Sequence, residues 1–318
     1  MSATKMQAAR VAVDDELTSF VSRLRPREIV TIGADAFVRL FLESREPFEL
    51  EVDLLDDGVV AGRTLLREVS EVGEVNRILV RHDGERMLLL VDGEQILGAK
   101  QNRVVNASFL VPSGQEVAVP VSCVERGRWE YASRTFAPSE TTLTGIARSR
   151  MVSRVTQSVI AGQGYDAGQG AVWRDVDEYL DRSRVVSRTS ALEDALVTRR
   201  GGNEQSLGML RPLPGQVGVA MVREGALLLL DAFGSADLYA RAHRKVLRGM
   251  LADTRTDGEA APGAIETVQK TLEELTRIEA HRAAAPGCGE TLRAKSESFS
   301  ASALVHDDAV YHLVVAAA

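Results

Sequence analysis

Four times along this chain, two short apolar runs stand on either side of a tight-turn signal. That spacing commits those residues to antiparallel β structure. Residues 77–81 and 86–91 flank His82-Asp83-Gly84-Glu85, and residues 104–111 and 116–121 flank Pro112-Ser113-Gly114. Residues 216–222 and 226–230 surround Glu224-Gly225, and 299–305 and 310–315 are joined across Asp307-Asp308. Aspartate and glycine tolerate the backbone angles a two-residue loop demands. The first two pairs predict a sheet or sandwich over roughly residues 48–137, and the last two predict C-terminal hairpins.

Between these β regions the apolar period changes from two to three and four. Met151, Val152, Val155 and Val159 fall on one helical face, as do Trp173, Val176 and Leu180. Ser190-Ala-Leu-Glu193 reads as a capping box, serine and glutamate each satisfying an exposed amide of a first helical turn. A helix is expected over 235–251 and another over 262–282, the latter with Ile265, Val268, Leu272, Leu275 and Ile278 along one side. The expected fold class is therefore α+β: an antiparallel sheet or sandwich-like N-terminal part, a helical middle, and C-terminal β-hairpins with helices. Residues 1–47 are set apart as an N-terminal segment, and 48–318 as a single α+β domain with a candidate sub-boundary near 140.

Composition excludes several classes. Hydrophobic residues make up 45% of the chain and charged residues 26%, values of an ordinary globular protein. The net charge of −7 opposes a polyanionic partner, so nucleic-acid binding is not expected. No run approaches the roughly 18 apolar residues of a membrane span, and residues 1–20 do not read as a signal peptide; a cytoplasmic location is expected. Cys123 and Cys288 stand far apart, and the five histidines, His82, His243, His281, His306 and His312, form no metal-ligand spacing. No metal is expected, and the sequence implies no particular cofactor.

The densest polar chemistry lies between Gly93 and Trp129. If residues 100–111 are extended, Gln101, Arg103, Val105, Ala107, Phe109 and Val111 share one face, which turns apolar toward the core. Lys100, Asn102, Val104, Asn106, Ser108 and Leu110 share the other. The triplet Lys100-Gln101-Asn102 is a poor strand former, so a loop or bulge is expected there. Lys100 is the only lysine between positions 5 and 245. Lys100, Arg103 and Arg128 carry the charge to neutralise phosphate or carboxylate. Gln101, Asn102 and Asn106 suit a sugar, base edge or amide, Trp129 offers a stacking face, and Glu94 and Glu125 are the acid/base candidates. The alternative is an internal network of salt bridges and amide bonds that fixes a β corner.

Other features read more plainly. Cys123 continues the apolar Val117, Val119, Val121 face and is expected to be a buried structural thiol. Gly162-Gln-Gly164 follows a helical pattern instead of a strand, so the glycine-rich stretch 162–170 is expected to be a connector and not a dinucleotide site. Arg182, Arg184, Arg188 and Arg199-Arg200, interleaved with Asp177, Glu178 and Asp181, read as a solvated face.

The run Asp92-Gly-Glu-Gln-Ile-Leu-Gly-Ala-Lys-Gln-Asn-Arg103, with Val121-Ser-Cys-Val-Glu-Arg-Gly-Arg-Trp129, resembles the ARG and rhodanese-phosphatase-superfamily-associated protein domain family. Weaker likeness continues through 169–173, 216–218, 233–234 and 310–313. The name implies association with ADP-ribosylglycohydrolases, and so a link to ADP-ribose or NAD metabolism. One expectation is binding, with or without processing, of an ADP-ribose or NAD-derived nucleotide-like small molecule in the 93–129 segment. The other is a non-enzymatic scaffold or regulatory partner of an ADP-ribose-handling enzyme. The resemblance transfers no residue roles; those above come from side-chain chemistry.

Overall fold

The computed structural model describes residues 15–43 and 50–318; Lys5 and the first fourteen residues read above for a signal peptide lie outside them. An eight-stranded antiparallel sheet runs in the order β1 (Leu24–Ile32), β2 (Asp35–Leu42), β12 (Gln216–Arg223), β13 (Ala226–Phe233), β17 (Ala309–Ala317), β16 (Phe299–His306), β15 (Glu290–Lys295) and β14 (His281–Ala284). Residues 24–42 therefore form the sheet edge against β12. Both C-terminal hairpins form as expected: Glu224, Gly225, Asp307 and Asp308 all take left-handed φ, as their two-residue loops require.

Both faces of the sheet's centre are covered, which is why β2, β12, β13 and β17 read as almost unbroken apolar runs. Leu230 and Ala232 of β13 join a core with α1 (Asp15–Arg23) and α7 (Ala264–Leu275). Leu229 and Phe233 point the other way, into a core shared with α6 (Ala236–Leu251). α6 starts where expected, with Ser235 Oγ accepting from Leu238 N.

The strand-rich first part closes into a six-stranded barrel instead of a sandwich. Its members are β4 (Thr64–Glu68), β5 (Arg77–His82), β7 (Glu94–Gly98), β8 (Arg103–Val105), β10 (Gln115–Cys123) and β11 (Phe136–Thr142). Beside it, β3 (Val52–Leu54) pairs in parallel with β6 (Met87–Leu90), which pairs antiparallel with β9 (Phe109–Val111), and α2 (Leu55–Val60) follows β3.

Three local expectations change here. The runs around His82-Asp83-Gly84-Glu85 do not form a hairpin: β5 uses both edges for β4 and β10, and β6 uses both for β3 and β9. The runs around Pro112-Ser113-Gly114 part in the same way, β9 to the small sheet and β10 to the barrel. Residues 100–111 are not one strand. The chain leaves the barrel at Asn106 and re-enters β structure at Phe109, so the single face drawn through Lys100, Asn102, Asn106 and Ser108 does not exist.

The helical middle comprises α3 (Gly145–Ile160), α4 (Gln169–Ser183) and α5 (Leu192–Met209). Met151, Val155, Val159, Val176 and Leu180 pack with the barrel core. The capping box at Ser190 is not formed: Ala191 occupies the N-cap without a side-chain cap, and Glu193 accepts instead from Ser139. The 162–170 stretch is a connector between α3 and α4, whose Tyr165 ring meets Phe109 edge-on at 5.1 Å.

Candidate functional site

The hairpin from β7 to β8 places residues 99–102 at one end of the barrel. Gly98 takes φ +107°, and a Cβ there would stand 2.3 Å from Ser133 Oγ, so this position needs glycine. Asn102 closes the loop by accepting from Gly98 N at 2.9 Å.

Around this loop the polar groups bind one another. Glu125 accepts from Arg128 Nε (3.0 Å) and Nη2 (2.6 Å), from Thr189 Oγ1 (2.8 Å) and from Asn102 N (3.1 Å). The remaining Arg128 donors reach Ala99 O at 2.6 Å and Glu130 O at 3.0 Å, with longer contacts to Gly98 O and Asn102 Oδ1. Burial pushes the Glu125 carboxyl up, but Arg128, Thr189 and the Asn102 amide outweigh it and hold it below the usual carboxylate range. A carboxylate so held stays ionised at neutral pH and has little capacity to donate a proton.

Glu94 lies elsewhere. It opens β7, whereas Glu125 grips the loop after the last residue of β7, so a strand of about 13 Å at ~3.3 Å per residue separates the two sites. Glu94 accepts from Val91 N and from Lys245 Nζ at 2.9 Å, and Lys245 also pairs with Asp56. Burial raises the Glu94 carboxyl although Lys245 opposes it. The two acid/base candidates are therefore not brought together.

Lys100 and Arg103 do meet, with Trp129 above both. The Lys100 ammonium donates to Val72 O at 2.8 Å and lies 5.4 Å from the Trp129 ring and 5.1 Å from that of Tyr131. The Arg103 guanidinium sits 5.5 Å from Trp129 and donates to Val75 O (2.8 Å) and Glu74 O (3.3 Å). Glu68, which the sequence reading did not single out, accepts from Lys100 N at 3.2 Å and stands 3.7 Å from Arg103. Two buried atoms of this group, Glu68 Oε2 and Arg103 Nε, have no hydrogen-bond partner. Gln101 Oε1 accepts from the Cys123 thiol at 2.9 Å, and Arg103 lies against the same sulfur. Burial pushes that thiol up to about 11, the state of an inert structural cysteine. Asn106 is also internal, donating to Tyr165 O and accepting from Ser122 Oγ.

A second buried network joins the barrel region to the large sheet. Arg148 of α3 donates to Asp92 Oδ1 (2.9 Å) and doubly to Asp231 (2.6 and 2.8 Å). His312 Nε2 stands 2.9 Å from Asp231 Oδ1, and His312 Nδ1 stands 2.7 Å from Ser108 Oγ, which accepts from Asp92 N. With the Nε2–H tautomer every donor in that chain finds an acceptor. Burial drives Asp231 up, but Arg148 and His312 outweigh it and hold it low; for Asp92 burial prevails and the carboxyl is raised. The order Ser108, His312, Asp231 is that of a hydrolase triad, yet Ser108 is only 6% exposed and its oxygen is already bonded on both sides. In sequence the only clue was Asp231 interrupting the run 226–233.

Among the described residues no group of three histidine, cysteine, aspartate or glutamate side chains is placed to hold a metal ion. No described helix is long and apolar enough to cross a membrane.

A barrel-and-sheet α+β protein whose most distinctive motif is a glycine-hinged, internally bonded loop is the class defined by these features. The family described as ARG and Rhodanese-Phosphatase-superfamily-associated Protein domain matches residues 23–316, from the last residue of α1 into β17, and the chain belongs to it. Comparison with curated proteins and with solved structures returned no match.

Proposed function

We propose that this protein acts as a non-enzymatic scaffold or regulatory partner, and that the 99–131 end of its barrel is the surface it presents. One observation carries the reading: the charged groups of the motif bind inward, while the apolar groups around them face out. Glu125, Arg128 and Asn102 satisfy one another, and the Lys100 and Arg103 donors go to backbone carbonyls. Trp129 is 45% exposed and Val72 77%, with Val75 and Tyr131 also exposed beside them. Exposed aromatic and apolar groups set on a rigid polar support are the composition of a binding hot spot.

The family description names ARG and rhodanese-phosphatase association, and an ADP-ribosylglycohydrolase-type enzyme is the partner we assign. The competing reading, an ADP-ribose or NAD-derived nucleotide held by Lys100, Arg103 and Arg128, requires those cations to give up the carbonyl and carboxylate contacts they already have. Glu94 and Glu125, too far apart to share a reacting atom, give that reading no acid/base pair.

The test is affinity capture of an ADP-ribosylglycohydrolase from the same cell by the full chain, beside Trp129→Ala and Val72→Asp. Retention that both variants abolish without a change in melting temperature supports the partner role. ADP-ribose or NAD binding that is lost in Lys100→Ala would overturn it in favour of a nucleotide site.

A further inference from the structure

A cleft of about 620 Å³ opens between the helical middle and the turn that follows α6. Four arginines from four separate segments line it: Arg182 at the end of α4, Arg199 of α5, Arg223 ending β12, and Arg255 in the turn. Against them the lining holds two carboxylates, Asp253 and Asp257. Three of the four arginines have a carboxylate partner, Arg182 with Asp253, Arg223 with Asp35 and Arg255 with Glu224, so the charge not already spoken for is concentrated at Arg199.

The commitments of these groups differ. Arg223 is fixed by a double bond to Asp35 and by Asp253 O, so it forms part of the wall. Asp253 is 5% exposed and engaged, Oδ2 accepting from Ile146 N at 2.7 Å and Oδ1 from Arg182. Arg255 gives Nη1 to Glu224 at 2.6 Å. Arg199 has no carboxylate partner among the described residues; its contacts are Ala252 O at 3.3 Å and the Tyr179 ring, 5.8 Å away. Asn203 beside it makes no side-chain hydrogen bond among the described residues. The cleft thus keeps a fixed floor and at least two guanidinium groups, Arg199 and Arg255, with donors to spare.

A guanidinium fork matches the oxygen spacing of a phosphate, and guanidinium groups brought to one cleft from separate segments match a ligand with more than one such group. The volume lies in the range of small-molecule sites. Among the described residues no aromatic ring lines the cleft: Tyr179 is buried beneath Arg182 and Arg199. Recognition would then rest on charge and not on base stacking.

We propose that this cleft binds a small molecule carrying two or more phosphate groups, held chiefly by Arg199 and Arg255 with Arg182 behind them. The inference goes beyond the partner role and does not depend on it, since the cleft shares no residue with the 99–131 surface.

The experiment is isothermal titration of inorganic pyrophosphate into the full chain at 150 mM NaCl, with Arg199→Ala, Arg255→Ala and, as a control outside the cleft, Arg188→Ala. Loss of one charge-assisted hydrogen bond predicts roughly tenfold weaker binding in each cleft variant, unchanged binding in Arg188→Ala, and the same melting temperature for all four unliganded proteins. No heat from pyrophosphate at millimolar concentration overturns the proposal. So does binding that is equal in wild type, Arg199→Ala and Arg255→Ala.

Discussion

Removing the Arg128 side chain separates a brace from a binding site. In Arg128→Ala, Glu125 keeps Thr189 Oγ1 and the Asn102 amide but loses both guanidinium bonds, and the carbonyls of Ala99 and Gly98 lose their cation. The Arg128 and Glu125 side chains are 13% and 6% exposed, so solvent replaces the lost partner only in part. Breaking such a pair by deleting one member costs on the order of 3–5 kcal/mol when burial is complete. Residual exposure of the arginine points to the lower end, about 3 kcal/mol. At ~2.1 cal/mol/K of unfolding entropy per residue, the 318 residues give a shift of roughly 1.5 °C per kcal/mol, so the melting temperature falls by about 4–5 °C. Arg128→Lys recovers little of it, because an ammonium lacks the planar fork that spans both carboxylate oxygens. Differential scanning calorimetry with parallel urea titration reads the effect. A loss below about 1 kcal/mol for Arg128→Ala would refute the brace, since the network would then contribute no more than an exposed ion pair.

Four other outcomes follow from the same structure. Asp231→Asn leaves Arg148 with Asp92 alone and is expected to cost on the order of 3–5 kcal/mol in urea unfolding; a loss under about 1 kcal/mol would show the network to be dispensable. The same carboxylate and Glu125 are held below their ordinary values in the fold, so their contribution is present above the unfolded pKa near ~4 and lost as pH falls through the lower folded value. The acid limb of the stability curve should accordingly be shallower in a Glu125→Gln/Asp231→Asn variant than in wild type, and an unchanged limb would contradict the assignment. Gly98→Ala puts a methyl group against Ser133 Oγ at φ +107° and should destabilise by about 1–3 kcal/mol, with a native melting temperature counting against the loop geometry. With its thiol pushed up to about 11, Cys123 is about 0.1% thiolate at pH 8. It should resist a disulfide reagent until the protein unfolds, and rapid native titration of two thiols would show the site to be open.

What the sequence made legible was whatever is decided locally. Glu224-Gly225 and Asp307-Asp308 form hairpins in which the joined strands keep each other on one edge, while β2, β17, β15 and β13 fill the other edges. The α6 cap at Ser235 is decided within one turn of helix. His82-Asp83-Gly84-Glu85 carries as strong a turn signal, yet β5 and β6 part because the partners that fill their edges arrive from more distant segments, β4, β10, β3 and β9. A pairing decided by which edge is free cannot be read from the turn between two strands. The motif at 98–103 shows the same division. Its loop was legible from Lys100-Gln101-Asn102, but the fate of its charges was not, because Glu125, Thr189, Glu68 and the Val72 carbonyl enter from four other places in the chain. The arginines went the other way. Arg182 and Arg199 sit among acidic residues in sequence and look neutralised there, but Asp177 pairs with Arg126 and Glu178 with Arg150. Those acids are drawn off to other faces, and the guanidinium groups left behind line the cleft with Arg223 and Arg255. Charge balance along a sequence therefore says little about charge at a site: Asp177 and Glu178 serve arginines of other elements, Arg182 takes its carboxylate from Asp253 in a distant turn, and Arg199 is left without one among the described residues.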